Sequence, residues 1–184
     1  MAIDARTNGD GISVTLAGGE TVDGRRLLLA LGVSDTLPDV PGLQERWGRH
    51  VFHCPYCHGY ELGGGSVGVL ATGPISMHQA LMLPEWGATT FFLNGAFAPD
   101  ADQRAALAAR NVTVEEAPVA GIRGAADVEL EDGRVIELAG IFTATKTRPS
   151  SPLADRLGCD SQPGVLIRSP MLRASVHWPL CFSA

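Results

Sequence analysis

Hydrophobic positions along the chain follow two rhythms. Ile12-Ser13-Val14-Thr15-Leu16 alternates apolar and polar residues and runs into Gly18-Gly19, which predicts a half-buried strand closing on a hairpin turn. Elsewhere the apolar runs are short and unbroken. Leu27 to Leu31 ending at Gly32, Val67-Gly68-Val69-Leu70 and Gly140 to Ala144 each predict a buried strand, and Thr89 to Leu93 is strand-like. A helix is expected through Trp86 after the second of these runs. Asp100 to Arg110 has helical composition with an acidic start. Strands are expected near Val112-Thr113-Val114 and within Asp127 to Leu138, where Asp132-Gly133 signals a tight hairpin turn. A short helix opens at Ser151-Pro152 and closes at Gly158, proline early and glycine late.

The strand–helix–strand order from Val67 to Leu93 predicts a parallel βαβ unit with a right-handed crossover. The fold class that follows is α/β: a Rossmann-like domain with a parallel sheet, helices and a β-meander. Pro38, Pro41 and Gly42 break the chain and mark a domain border.

Composition narrows the function classes. The 184 residues are 45% hydrophobic and 18% charged, ordinary for a globular enzyme of one or two small domains. A net charge of -6 with no basic stripe argues against nucleic acid as a partner. No apolar run approaches the roughly 20 residues that span a bilayer. Met1-Ala2-Ile3-Asp4 lacks the basic, then apolar, start of a signal peptide, so a cytoplasmic location is expected.

Of four cysteines, only Cys54 and Cys57 are neighbours, in His53-Cys54-Pro55-Tyr56-Cys57-His58-Gly59-Tyr60-Glu61. Two intervening residues let both sulfurs meet across one helical turn, so the pair can close a disulfide with little backbone movement. Pro55 suits the first turn of a helix, whose dipole favours a thiolate at its N-terminus. His58 is placed to shuttle the proton that thiol–disulfide exchange releases. Zinc is the rival reading, because His53 and His58 flank the cysteines. A closed zinc site usually recruits a second paired motif, and here only the lone Cys159 and Cys181 remain. Structural thiols are the third reading.

Ala71-Thr72-Gly73-Pro74-Ile75-Ser76 lies where a dinucleotide fingerprint belongs, after a buried strand and before a helix. Gly73 would let the backbone approach a pyrophosphate, and Ser76 would allow close helix–sheet packing. Ala71 replaces the first glycine of that pattern. At the end of the next strand Leu93-Asn94-Gly95 puts Asn94 where an acid would bind a ribose hydroxyl, and no Arg or Lys lies between Trp86 and Gln103. NADH and NADPH are therefore equally expected. A packing turn without any nucleotide is the bland alternative.

Three stretches resemble one family: Arg25-Arg26-Leu27-Leu28-Leu29-Ala30-Leu31-Gly32, Leu37-Pro38-Asp39-Val40-Pro41-Gly42-Leu43, and the cysteine segment Cys54 to Glu61. Together with Thr72 to Ala80 and Arg148-Pro149, they look like the thioredoxin reductase-like FAD- and NAD(P)-dependent disulfide oxidoreductases. The resemblance implies a nicotinamide domain over residues 42–139, inserted between flavin-domain segments 1–41 and 140–184, with Gly32 on the flavin side. It also implies electrons passing between NADH or NADPH, FAD and a Cys54–Cys57 disulfide. Cys57 would face the flavin and Cys54 a small-molecule or protein disulfide or dithiol substrate. His58 stands where many relatives carry an aspartate proton donor, and relatives commonly form homodimers.

The chain departs from the family at both ends. No Gly-rich flavin fingerprint precedes Gly32, Leu31 replaces a usual threonine, and the pattern breaks off after Val176. The expectation is a truncated or frameshifted enzyme with weak or no flavin binding of its own and no role for Cys181. A nucleotide-binding module without flavin chemistry, or a zinc-stabilised structural domain, are the alternatives.

Overall fold

A computed structural model describes residues 1–162 and 166–168. The described residues divide into two compact units, one formed by Met1–Thr36 with those from Lys146 to Arg168, the other by Leu37–Thr145.

The first unit opens with an antiparallel sheet of three strands in sequence order, β1 (Ala2–Asn8), β2 (Gly11–Leu16) and β3 (Thr21–Gly24). The alternating segment is thus its central strand, with Ser13 buried and bonded to the Asp23 carboxylate and to Asn8. Leu27 to Gly32, expected as a buried strand, forms none: it is irregular, and Leu28 is 87% exposed. A strand buried on both faces needs a ladder partner and covering layers. No strand among the described residues pairs with this segment. β4 (Val33–Thr36) follows it directly.

The second unit is built on a five-stranded parallel sheet. β5 (Val51–Phe52) leads into the one-turn α1 (Pro55–His58), and β6 (Val67–Leu70) leads into α2 (Ser76–Met82), which tightens into a 3-10 turn over Leu83–Glu85. Then come β7 (Thr89–Phe92), α3 (Ala101–Ala109) and β8 (Thr113–Glu115). Asp100 caps α3 with a complete capping box: its carboxylate accepts from the Gln103 N–H, and the Gln103 side chain accepts from the Asp100 N–H. β9 (Val119–Arg123), β10 (Asp127–Leu130) and β11 (Val135–Ile136) form the antiparallel meander, and β12 (Gly140–Thr143) returns to the parallel sheet. Sheet order is β5-β12-β6-β7-β8, all pairs parallel.

Period-two alternation explains the uninterrupted apolar runs. Phe52, Val67, Val69, Phe91 and Phe142 face α2 and α3, where they pack with Met77, Ala80, Leu83 and Leu107. Their neighbours Val51, Leu70, Phe92 and Ile141 face the meander, packing with Ile122, Val128, Leu130 and Leu138. Each strand therefore feeds two cores, as a sheet covered on both sides requires. Gly68 has no room for a side chain, since a Cβ there would lie 2.7 Å from the Leu138 methyl.

The chain then re-enters the first unit through β13 (Lys146–Pro149), antiparallel to β4, followed by α4 (Leu153–Arg156), β14 (Asp160–Gln162) and β15 (Leu166–Arg168). Two borders thus differ from the sequence expectation, falling after Thr36 and Thr145 rather than after residues 41 and 139. The second shift has a clear cause: β12 sits between β5 and β6 and belongs to their sheet. The α/β expectation, with a parallel sheet and a separate meander, matches what is seen.

Candidate functional site

Because the five strands run parallel, all their carboxyl ends reach one edge of the sheet. The chain leaves β6 in one direction, through β7 and β8, while β12 and β5 lie on the other side. That reversal opens a crevice at the strand ends, where ligands of open α/β sheets bind. The cysteine turn leaves β5 and the Gly73 loop leaves β6 at this edge. One strand separates β5 from β6, so the two segments start roughly 10 Å apart.

Cys54 is the N-cap residue of α1 with extended backbone, and Pro55 is buried at the first helical position. The Cys57 N–H donates to the Cys54 carbonyl at 3.3 Å. This turn brings the half-buried sulfurs to 2.8 Å. A disulfide needs about 2.04 Å, so less than about 1 Å of approach joins them. The dipole argument from sequence weakens here, because α1 is only four residues long and few peptides align behind the sulfurs.

His58 stacks on Phe52 with centroids 4.3 Å apart and rings 20° from parallel, and its Nδ1 lies 3.2 Å from Glu61 Oε2. On the other side of the turn, His53 Nδ1 is 3.3 Å from Thr145 Oγ1, just past β12. The His53 carbonyl accepts a 2.7 Å bond from Gln79 Nε2 on α2. Each histidine thus has its Nδ1 engaged, by Glu61 for His58 and by Thr145 for His53. Among the described residues no three His, Cys, Asp or Glu side chains gather as metal ligands. Trp86 meets Tyr56 edge-on at 5.3 Å and covers Gly59, where a Cβ would lie 2.7 Å from the indole. Tyr56 and Tyr60 are themselves mostly exposed.

In the second loop Ala71 is buried at the strand end, and the Thr72 N–H donates to Ser76 Oγ at 3.0 Å. Ser76 is fully buried at the start of α2, whose first turn closes by the Ser76 N–H bonding the Gly73 carbonyl. Gly73 has φ 147, a conformation L side chains rarely adopt, and open space where a Cβ would stand. Pro74 and Ile75 are exposed beside it. Gly73 is itself buried, and the space left open where its side chain would stand fits a dinucleotide phosphate.

Asn94 has left-handed φ 46, and its Oδ1 accepts the Val119 N–H at 2.8 Å. Its side chain therefore fastens the end of β7 to the meander. Gly32 lies in the other unit with φ 67, its carbonyl accepting from Ser150 N–H at 3.2 Å. The described residues of that unit contain no glycine-bearing strand-to-helix turn and do not fit the ADP half of a flavin.

Sequence reasoning missed Gln79, Trp86 and Thr145. Gln79 was detectable in principle as a polar residue one turn after Ser76 on the same buried helical face. The contacts of Trp86 and Thr145 are tertiary and leave no local pattern.

Comparison with known proteins agrees with this arrangement. Residues 3–177 match the model of the pyridine nucleotide-disulphide oxidoreductases. A thioredoxin reductase of Claviceps purpurea is 32% identical over 186 residues, covering 94% of this chain and 58% of the relative. Another from Leptosphaeria maculans is 32% identical over 165 residues, covering 80% and 50%. The crystal structure of an oxidoreductase from Agrobacterium tumefaciens superposes with a TM-score of 0.87 at 48% identity, covering 95% of this chain and 60% of that one. The chain thus spans between half and three-fifths of these relatives. With a family match over nearly its whole length, and a paired-cysteine turn and glycine loop at one sheet edge, the chain belongs to the pyridine nucleotide-disulphide oxidoreductase family.

Proposed function

We propose that this chain carries the nicotinamide-binding and dithiol parts of a thioredoxin reductase-like, flavin-dependent disulfide oxidoreductase, with Cys54 and Cys57 as the redox couple. The observation that carries the reading is the 2.8 Å approach of the two sulfurs on a turn at the sheet edge.

The Cys54 thiolate attacks one sulfur of a substrate disulfide; that S–S bond breaks and the departing thiolate takes a proton. Cys57, as thiolate, then attacks Cys54 Sγ in the mixed disulfide, releasing the second substrate thiolate. The substrate gains two electrons and the cysteines lose them as their disulfide forms. With Nδ1 turned to Glu61, His58 offers Nε2 to take the Cys57 proton and return it. The Gly73 loop, from Ala71 to Ser76, holds the pyrophosphate of NADH or NADPH. A flavin, when bound, relays two electrons between a hydride and a dithiol; the described residues around Gly32 do not form its cradle. Leu37–Thr145 is the nicotinamide domain in this reading. The substrate is a small-molecule or protein disulfide or dithiol, the assembly a homodimer and the location cytoplasmic. No helix among the described residues is long and apolar enough to cross a membrane.

The test is to equilibrate the 184-residue chain in dithiothreitol redox buffers, alkylate it and map the thiols by peptide mass spectrometry. A reversible Cys54–Cys57 disulfide, lost in Cys54→Ser and Cys57→Ser, is expected. Tightly bound zinc without such a disulfide overturns the reading.

A further inference from the structure

Gln79 stands out among the buried polar residues. It is 7% exposed, one turn after Ser76 on α2. Its Nε2 reaches across to the His53 carbonyl at 2.7 Å, while its Oε1 is buried with no hydrogen-bond partner among the described residues. Native folds rarely keep such an orphaned acceptor, and an unbranched apolar side chain of similar size would remove it. The amide orientation is fixed, because turning it over would set two carbonyl oxygens face to face. The side chain is therefore present for its donor, and that donor holds the peptide immediately before Cys54.

We infer that Gln79 is a positioning residue for the redox pair: its bond to the His53 carbonyl keeps the N-cap of α1 where Cys54 Sγ meets Cys57 Sγ. This rests on the redox reading above. Two thiols held together form a disulfide more readily than two that sample a wider space, because the ordering entropy is already spent. In the exchange, protein disulfide plus reduced dithiothreitol becomes protein dithiol plus cyclic oxidised dithiothreitol. Two electrons and two protons pass to the cysteines. Loosening the Cys54 peptide leaves the dithiol little changed and disfavours the disulfide.

The full chain is compared with Gln79→Met in dithiothreitol buffers of fixed oxidised-to-reduced ratio, alongside thermal unfolding. Expected is a fivefold to tenfold fall in the oxidised-to-reduced ratio of the Cys54–Cys57 pair, tenfold being about 30 mV for a two-electron couple. The melting midpoint should move little, because the loss of the bond to the His53 carbonyl and the removal of the orphaned oxygen oppose one another. An unchanged ratio in a folded Gln79→Met overturns the inference while leaving the redox reading intact. If the parent chain forms no reversible disulfide, the redox reading itself has failed. Should Gln79→Met not fold, Gln79→Leu also lacks the donor at every pH; it must show the same fall, and an unchanged ratio there overturns the inference.

Discussion

Gly59→Ala tests how the cysteine turn is clamped. Gly59 follows α1 with φ -58, so an alanine meets no backbone strain. A Cβ built there lies 2.7 Å from the Pro55 carbonyl oxygen, 2.7 Å from Trp86 Cγ and 2.8 Å from Cδ1, the indole atoms about 1 Å inside normal carbon contact. Trp86 cannot yield freely, since its ring meets Tyr56 at 5.3 Å and packs against the helix-side core. Overpacking of this kind costs about 1–3 kcal/mol. Restricting the unfolded chain recovers about 0.4–1 kcal/mol. The net loss is about 1–2 kcal/mol, which moves the midpoint of a unit of this size by roughly 4–9 °C. Thermal unfolding followed by circular dichroism reads it. Trp86→Leu supplies the cycle: with the indole gone, the alanine should cost at least about 1 kcal/mol less. The reasoning is refuted if Gly59→Ala melts with the parent, or if its cost is the same on both backgrounds.

Three further outcomes follow from individual contacts. The Glu115 carboxyl is held below its ordinary value of 4.5, chiefly by its bond from Arg134 at 2.6 Å. Its contribution is therefore full above that value and disappears as pH falls through the depressed one. Glu115→Gln should lower stability near neutrality and converge on the parent in strong acid; parallel curves of stability against pH would contradict this. Asp100→Ala, which dismantles the capping box of α3, should cost about 1 kcal/mol in urea unfolding with an unchanged slope. Asn94→Ala loses the bond to Val119 and keeps the left-handed φ, so it should destabilise by about 1–3 kcal/mol and leave NADH affinity within a few-fold. A large loss of affinity at unchanged stability would restore Asn94 to the nucleotide site.

Buried strands were legible wherever the run of apolar residues was matched by layers to cover it. Val67 to Leu70 and Gly140 to Thr143 show this, each facing helices on one side and the meander on the other. Leu27 to Leu31 has an equally apolar run and no strand, because composition states a capacity for burial and says nothing of the partner that must supply it. The cysteine spacing announced the meeting of two sulfurs, since one helical turn fixes it locally. The bond from Gln79 to His53 joins residues that lie far apart in sequence, and no periodicity encodes such a contact. Asn94 is ambiguous for another reason: its place at a strand end suits either a ribose or a left-handed turn, and the turn uses its Oδ1.

The place of β12 has a consequence for how the protein is made. β5, an edge strand and the one leading to the cysteines, has β12 as its only partner strand among the described residues. A ribosome must therefore synthesise everything through Thr143 before β5 can be zipped into place. Such non-local pairing is slow to form. During that interval the turn carrying the two cysteines has no sheet to anchor it, although its own local geometry already holds them near each other. Completion of the sheet thus fixes where that turn sits, and only then does it share an edge with the Gly73 loop.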